Sequence, residues 1–340
     1  MPATIRVANT IRRARSSRKI WARMAGLAIA GSAALPLCNP ATAQAAEARP
    51  HDATASIQSL LNNPVNGVVN LPSGTFTISP VLRLQGGEKI VGHNTTLQVA
   101  ASSGDYQAVL TGASASTDLS GLTITGVTLD QNSQANPITN VQALYKGQPR
   151  FIILATKGTG ISITNNKFLG INDVDTVVTG GATSQVTISG NSFSSLNTPM
   201  HDHSTVYTSG TGTTISGNTF TGSAMYDSAA IEVHGDNATV TGNKISGYFR
   251  GANIVSNDTS FTRNTITGAG SPVDLWSVVA PGLHNVTVTG NVLNINLSYW
   301  TWVITKMGLR VPPASETQQV ITDTTSTYPL HSVTVSGNSK

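Results

Sequence analysis

One short turn recurs along most of this 340-residue chain. It closes the segments ITNNKF, ISGNSF, ISGNTF, VTGNKI, FTRNTI, VTGNVL and VSGNSK, whose asparagines stand at positions 166, 191, 218, 243, 264, 291 and 338. The spacing is 21 to 27 residues, and the last interval of 47 fits two turns. Because short apolar alternation and Gly/Asn turns repeat without a helical period, the chain is predicted to be a solenoid of short β-strands.

An asparagine at a fixed corner is typical of a parallel β-solenoid. Asn tolerates the left-handed backbone, and its amide can stack on the one below. We therefore predict an all-β, single-stranded right-handed parallel β-helix. Roughly 290 residues at about 25 per coil would give eleven or twelve coils.

The two ends of the solenoid differ. Asp52 to Asn62 (DATASIQSLLN) predicts a capping helix, with Asp52 at its start and Ile57, Leu60 and Leu61 on one apolar face. No comparable cap stands near Lys340. Either a partner chain covers that end or a further coil completes it, so homotrimer and monomer both stay open.

The N-terminal segment predicts export. Seven basic residues lie in the first 23 positions, followed by an apolar stretch from Met24 to Leu37 and a small-residue site, ATAQA. This layout indicates a signal peptide over residues 1–46 and a β-helix domain over 47–340, with an N-terminal membrane anchor as the alternative. We expect a secreted, extracellular or periplasmic protein with no transmembrane segment after cleavage.

Removal of that segment changes the classes of function that remain. The mature part keeps 13 basic against 16 acidic residues, so a basic surface for nucleic acid is not expected. Cys38 is the one cysteine, which excludes thiol catalysis, disulfides and cysteine-bound zinc in the mature domain.

The capping helix, the segment VVNLPSGTFTI (68–78), the segment VTLDQN (127–132) and the serial SGN corners resemble the pectin-lyase-like superfamily. The similarity covers roughly residues 50–340. It implies a right-handed β-helix and, in many members, action on polysaccharides by lyases or polygalacturonases. Tailspikes and non-catalytic surface proteins belong to the same superfamily, and fold alone does not choose among them.

A carboxylate ladder is the first candidate site. Asp175, Asp202 and Asp227 each lie sixteen residues before a corner asparagine. Stacked about 5 Å apart, they would need a cation, raised pKa values or backbone donors. By resemblance, Ca²⁺ on these residues with Arg250 as base would match pectate lyases, and paired carboxylates would match a glycoside hydrolase. A repeated turn cap is the structural alternative.

A polar column is the second candidate site. Tyr207, Glu232 and Asn253 lie eleven residues before their corners, and His234 shares a strand face with Glu232. The alternation turns His203, Thr205 and Tyr207 towards the groove. The phase of Asp227 is shared with Ala229 and Ile231, the inward set.

This column suits proton transfer at a sugar, with Tyr or His moving the proton and Arg250 neutralising a uronate carboxylate. In a hydrolase Glu232 would be the acid. A zinc site on His201, His203 and His234 is a further alternative, although it lacks a known ligand spacing. Tyr226, Tyr248 and Trp276 are predicted as aromatic platforms for pyranose rings.

These observations lead to one principal hypothesis and one rival. The principal hypothesis is a secreted polysaccharide lyase or glycoside hydrolase that acts on a uronate-containing polysaccharide in a groove on the parallel sheet. The rival is a non-catalytic glycan-binding or surface module of the tailspike kind.

Overall fold

The computed structural model describes residues 52–194, 198, 203–223, 228–307, 320–322 and 326–340. The predicted signal peptide, Asp202, Asp227, Tyr226 and His201 lie outside these residues. The described chain is an all-parallel β-solenoid with three faces, and it confirms the predicted right-handed β-helix fold. No helix within the described ranges is both long and apolar enough to cross a membrane.

The first face is a sheet of nine parallel strands, one from each coil. They are β3 (Leu82–Leu84), β5 (Ala108–Gly112), β7 (Phe151–Thr159), β10 (Asp175–Ser184), β13 (His203–Thr208), β16 (Ser228–Val233), β19 (Arg250–Ile254), β22 (Ser271–Leu275) and β26 (Val320–Thr322). About nine coils are therefore present, fewer than the eleven or twelve predicted, because long excursions between strands use part of the chain.

The other two faces are joined into one sheet by β4 (Lys89–Val99) and β6 (Thr123–Asp130), which run through both. The second face has β1 (Val68–Leu71), β8 (Ser162–Thr164), β11 (Thr187–Ser189), β14 (Thr214–Ser216), β17 (Thr239–Thr241), β20 (Ser260–Thr262), β24 (Thr287–Thr289) and β28 (Thr334–Ser336). The third face has β2 (Gly74–Ile78), β9 (Lys167–Leu169), β12 (Ser192–Phe193), β15 (Thr219–Thr221), β18 (Lys244–Ser246), β21 (Thr265–Ala269) and β25 (Val292–Ile295). A small extra pair is formed by β23 (Leu283–His284) and β27 (Leu330–His331).

Three helices accompany the coils. The predicted capping helix is α1 (Thr54–Asn62), and the Asp52 carboxylate accepts the Thr54 N–H at its start (2.9 Å). Ile57 and Leu61 are buried, but Leu60 is 38% exposed, so its predicted place on the inward face is wrong. The others are α2 (Val141–Lys146) and α3 (Leu297–Met307), and α3 contacts the body through Tyr299 and Val303.

The repeated asparagines form a continuous ladder at the corner between the second and third faces. In each coil the Asn N–H and Nδ2 both donate to the Oδ1 of the Asn in the next coil, as for Asn191 on Asn218 (2.9 and 3.0 Å). The left-handed backbone lies one residue earlier than predicted, for example at Gly190 (φ 64°) and Gly217 (φ 62°). This explains the SGN motif, since glycine adopts that conformation without strain.

The solenoid interior is filled by stacked apolar side chains. Phe168, Phe193 and Phe220 come from three successive coils and stack with ring centroids 4.5 and 4.8 Å apart. Because identical positions stack at each coil, the register of one coil fixes the register of the next. The same rule determines which side chains meet on the first face.

Candidate functional site

The predicted polar column is present on the first face. Tyr207 pairs with Glu232, and Glu232 pairs with Asn253, as the count from the corner asparagines predicts. Asp274 continues the column below Asn253 and was not predicted to belong to it. We call the side chains of these four residues the Glu232 column.

A second feature, which the sequence did not predict, shapes this face. On successive strands of this face, the register of paired residues omits one position. The omitted residues are Val109, Ile152, Thr176, Thr205, Ala230, Gly251 and Pro272. We call this set the bend column. The residue that follows each bend position is also turned inward on several coils. Val109 and Leu110, Ile152 and Ile153, and Ala230 and Ile231 are consecutive pairs that all belong to the core.

At and before the bend column, side chains have the opposite orientation to the one that strict alternation predicts. The predicted groove-facing Thr205 is fully buried, and its hydroxyl lies 2.8 Å from the hydroxyl of Tyr248, a core residue. Ala229, predicted inward with Ile231, is also buried, although it lies outside the main core cluster of the described residues. Two consecutive inward residues, Thr205 and Val206, cause the error at Thr205, because strict alternation no longer holds across them.

Glu232 and His234 form the centre of the site. The His234 Nε2 lies 2.7 Å from the Glu232 Oε1, which places the two side chains on one strand face as predicted. The Glu232 side chain is 13% exposed and that of His234 25% exposed. Both groups therefore lie at the surface of the sheet with restricted access to solvent.

The second Glu232 oxygen is also occupied. The Ser204 hydroxyl donates to Oε2 at 2.6 Å. Burial alone would raise the pKa of Glu232, but the hydrogen bonds from His234 and Ser204 and the charge of Arg250 outweigh it, so its pKa is lowered. Glu232 is therefore an ionised acceptor at neutral pH and is unsuited to the acid role in a hydrolase.

Arg250 is held beside this pair by an acidic partner. Its Nε donates to the Asp274 Oδ2 at 2.8 Å, and its guanidinium lies 5.2 Å from the centroid of the Phe249 ring. Asp274 is fully buried and also accepts the Ser271 hydroxyl. Asp274 lies seventeen residues before its corner asparagine, Asn291, because the excursion after β22 is longer. The other members of the Glu232 column lie eleven residues before theirs. That irregularity concealed Asp274 from the sequence count.

Aromatic rings flank the histidine. The Tyr207 ring lies 4.8 Å from the His234 ring, and the Trp276 ring lies 6.5 Å from it at a near-perpendicular angle. Trp276 is half-buried beside the pair, in a position compatible with the predicted platform. Tyr207 is buried, so its predicted exposure in the groove is wrong.

Two further predicted site residues lie elsewhere. Tyr248 is fully buried in the core, where burial raises the pKa of its hydroxyl, so it cannot be a sugar platform. His203 is also buried. Its Nδ1 lies 2.9 Å from the Val174 carbonyl oxygen and 3.3 Å from the Asp173 carboxylate, and its Nε2 lies 3.2 Å from the Thr205 hydroxyl. His203 therefore belongs to a buried chain of polar groups and not to the groove.

Of the predicted carboxylate ladder the structure describes Asp175 alone, because Asp202 and Asp227 lie outside the described residues. Asp175 pairs with Ser204, two positions beyond Asp202, because the coil of Asp175 carries two additional residues between the first face and its corner. Asp175 instead accepts the Ser204 N–H at 2.9 Å. Within the described ranges, no three His, Cys, Asp or Glu residues are grouped to hold a metal ion.

Comparison with known proteins supports the fold. Neither the protein-family models nor the curated proteins include a match to this chain. Three solved structures of the tailspike protein of E. coli bacteriophage HK620 are similar. They are a double mutant with a pentasaccharide (TM-score 0.61, 16% identity), a mutant with a hexasaccharide (0.61, 17%) and the tailspike with a pentasaccharide (0.60, 16%).

In each comparison the match covers 84% of this chain and 52% of the tailspike chain. This chain thus spans about half the length of the tailspikes. The shared feature is the parallel β-helix.

Proposed function

We propose that this protein is exported and acts on an acidic polysaccharide by β-elimination, with His234 as the base. The observation that carries the proposal is the Glu232–His234 hydrogen bond at the partly exposed centre of the parallel sheet. The oligosaccharides held by the tailspike structures support a carbohydrate as the ligand class. Monomer and homotrimer are equally compatible with this proposal.

The contacts of His234 assign roles to its two nitrogens. Because Glu232 is ionised, His234 Nε2 carries the proton that this carboxylate accepts. In the neutral imidazole Nδ1 then carries the lone pair, and the described part of the chain places no hydrogen-bond partner on it. A carboxylate behind an imidazole orients the ring and stabilises the imidazolium that forms when Nδ1 takes a proton.

The reaction follows from these roles. His234 Nδ1 removes the proton from C5 of a uronate residue, and the electron pair forms the C4–C5 double bond. The bond between C4 and the glycosidic oxygen breaks, and the leaving oxygen takes a proton from the imidazolium or from water. Arg250 supplies positive charge beside the pair, where the negative charge on the uronate carboxylate grows in the transition state.

Absorbance of the unsaturated product tests the proposal on a panel of pectin, alginate, hyaluronan and bacterial exopolysaccharides. We expect His234→Ala to lower kcat by about a hundredfold or more and Glu232→Gln by about tenfold or more, because general-base catalysis is lost or misdirected. His93→Ala is the matched control, since His93 is exposed on β4 of another face. Unchanged turnover in both site variants would refute the assignment.

The rival function is glycan binding without turnover. It is supported by the burial of Tyr207 and Asp274, which leaves few accessible polar groups at the site. In that case the wild type binds an oligosaccharide without product formation, and His234→Ala and Trp276→Ala weaken binding while His93→Ala does not.

A further inference from the structure

Strict strand alternation would turn the Ser204 side chain towards the core. Ser204 lies two positions before Val206, a core residue, and would share its inward phase. The bend position at Thr205 breaks the alternation, so that Ser204 does not share the inward phase of Val206. Thr205 contacts the buried Tyr248, and the Ser204 hydroxyl reaches Glu232 on the next strand. Such local irregularities commonly re-aim a side chain next to a functional site.

We propose that Ser204 is a positioning residue of this site, whose hydroxyl fixes the Glu232 carboxylate so that its other oxygen directs His234. This inference rests on the proposed function. It assigns Ser204 no contact with substrate, because its hydroxyl acts through Glu232.

Ser204 is itself held from two sides. Its N–H donates to the Asp175 carboxylate at 2.9 Å, on the strand before it. Its neighbours His203 and Thr205 anchor the strand inside the solenoid through the hydrogen bond between them and the bond of Thr205 to Tyr248. The hydroxyl is therefore presented by a rigid strand and not by a loop, which is the arrangement that a precise site requires.

Neighbouring strands complete the surroundings of Glu232. On the strand after it, Arg250 supplies positive charge and is in turn bonded to Asp274. On its own strand, Ala229 pairs in register with both Ser204 and Arg250. On β13, Tyr207 contacts the His234 ring. Among these groups, Ser204 is the one whose hydroxyl bonds the Glu232 carboxylate. Removal of that hydroxyl should therefore act directly on the carboxylate.

The test follows the Glu232 carboxyl by NMR. The whole sequence holds four glutamates, so labelling with carboxyl-¹³C glutamate gives few signals, and Glu232→Gln assigns the one of interest. We expect Ser204→Ala to raise the titration midpoint of Glu232 by about one pH unit, because an ionised acceptor loses a donor. Ser204→Thr restores the hydroxyl and the wild-type midpoint. The matched control is Ser209→Ala, whose hydroxyl donates to the Thr179 carbonyl oxygen.

Turnover supplies the second readout. We expect Ser204→Ala to lower kcat by about tenfold with little change in KM, with recovery in Ser204→Thr, since misplacement of a catalytic group slows the chemical step. An unchanged midpoint overturns the proposal, and so does a shifted midpoint with unchanged kcat. If the wild type degrades no polysaccharide, the proposed function fails. The positioning role in catalysis falls with it, while the titration still decides whether Ser204 holds Glu232.

Discussion

Glu88 is a buried carboxylate, far in sequence from the candidate site. It is 2% exposed, and within the described residues neither carboxylate oxygen has a hydrogen-bond partner. Burial raises its pKa, and the nearby Gln85 N–H, outside hydrogen-bond geometry, offsets this only in part. Such a group destabilises the fold when it is ionised.

Replacing Glu88 by Gln removes the charge and keeps the shape. The folded state binds the Glu88 proton more tightly than the unfolded chain. Its contribution to stability is therefore complete below about pH 4.3, the ordinary glutamate value, and is lost as the pH rises through the raised pKa. We expect Glu88→Gln to be more stable than wild type at neutral pH and to lose this advantage in acid, measured by urea unfolding across that range.

Asp118→Asn provides a control, because the contribution of Asp118 to stability changes with pH in the opposite direction. Asp118 is exposed, and the Ser120 hydroxyl and N–H lower its pKa, so its contribution is present above the ordinary aspartate value and is lost as the pH falls. A Glu88→Gln advantage that is equal at every pH would contradict the account of Glu88.

At the scale of the strand, the bend column determines the shape of the first face. Gly251 lies in it, and a β-carbon there would stand 2.5 Å from both the Ile266 side chain and the Pro272 carbonyl oxygen. We expect Gly251→Ala to lower the free energy of unfolding by about 1–3 kcal/mol, because the core must shift to admit the methyl group. Gly181→Ala is the matched control, since its β-carbon would meet nothing nearer than 3.9 Å. Equal stability of the two variants in urea unfolding would show that the bend is not tightly packed.

The same strands show what the sequence could predict. The corner asparagines act as a ruler, and the count of eleven residues back places Tyr207, Glu232 and Asn253 in one column because the bend lies before that column. Ser204 and Thr205 lie at or before the bend, where alternation fails. No residue type marks that bend, since Thr, Ala, Gly and Pro all occupy it. Only the paired strands reveal it.

At the scale of the molecule, every coil packs against its neighbours, and the core of the first coils must be covered at the N-terminal end. Helix α1 supplies it, and its buried residues Ile57 and Leu61 join the same hydrophobic core that runs below the candidate site. Because stacked repeats transmit stability between neighbours, a defect in the cap acts on the first coils before the later ones. Adjacent leucines in α1 allow this to be measured with a matched pair.

Leu61→Ala opens a cavity beneath the cap, whereas Leu60→Ala alters a partly exposed side chain one position earlier in the same helix. We expect Leu61→Ala to cost about 2–5 kcal/mol and Leu60→Ala about 0.5 kcal/mol, compared by urea unfolding. Hydrogen exchange should show the loss of protection in Leu61→Ala first in β1 and β3, which contact α1, and last in the strands around Glu232. Equal losses in all coils would mean that the solenoid unfolds as one cooperative unit, and equal costs in both variants would mean that α1 does not seal the core through Leu61.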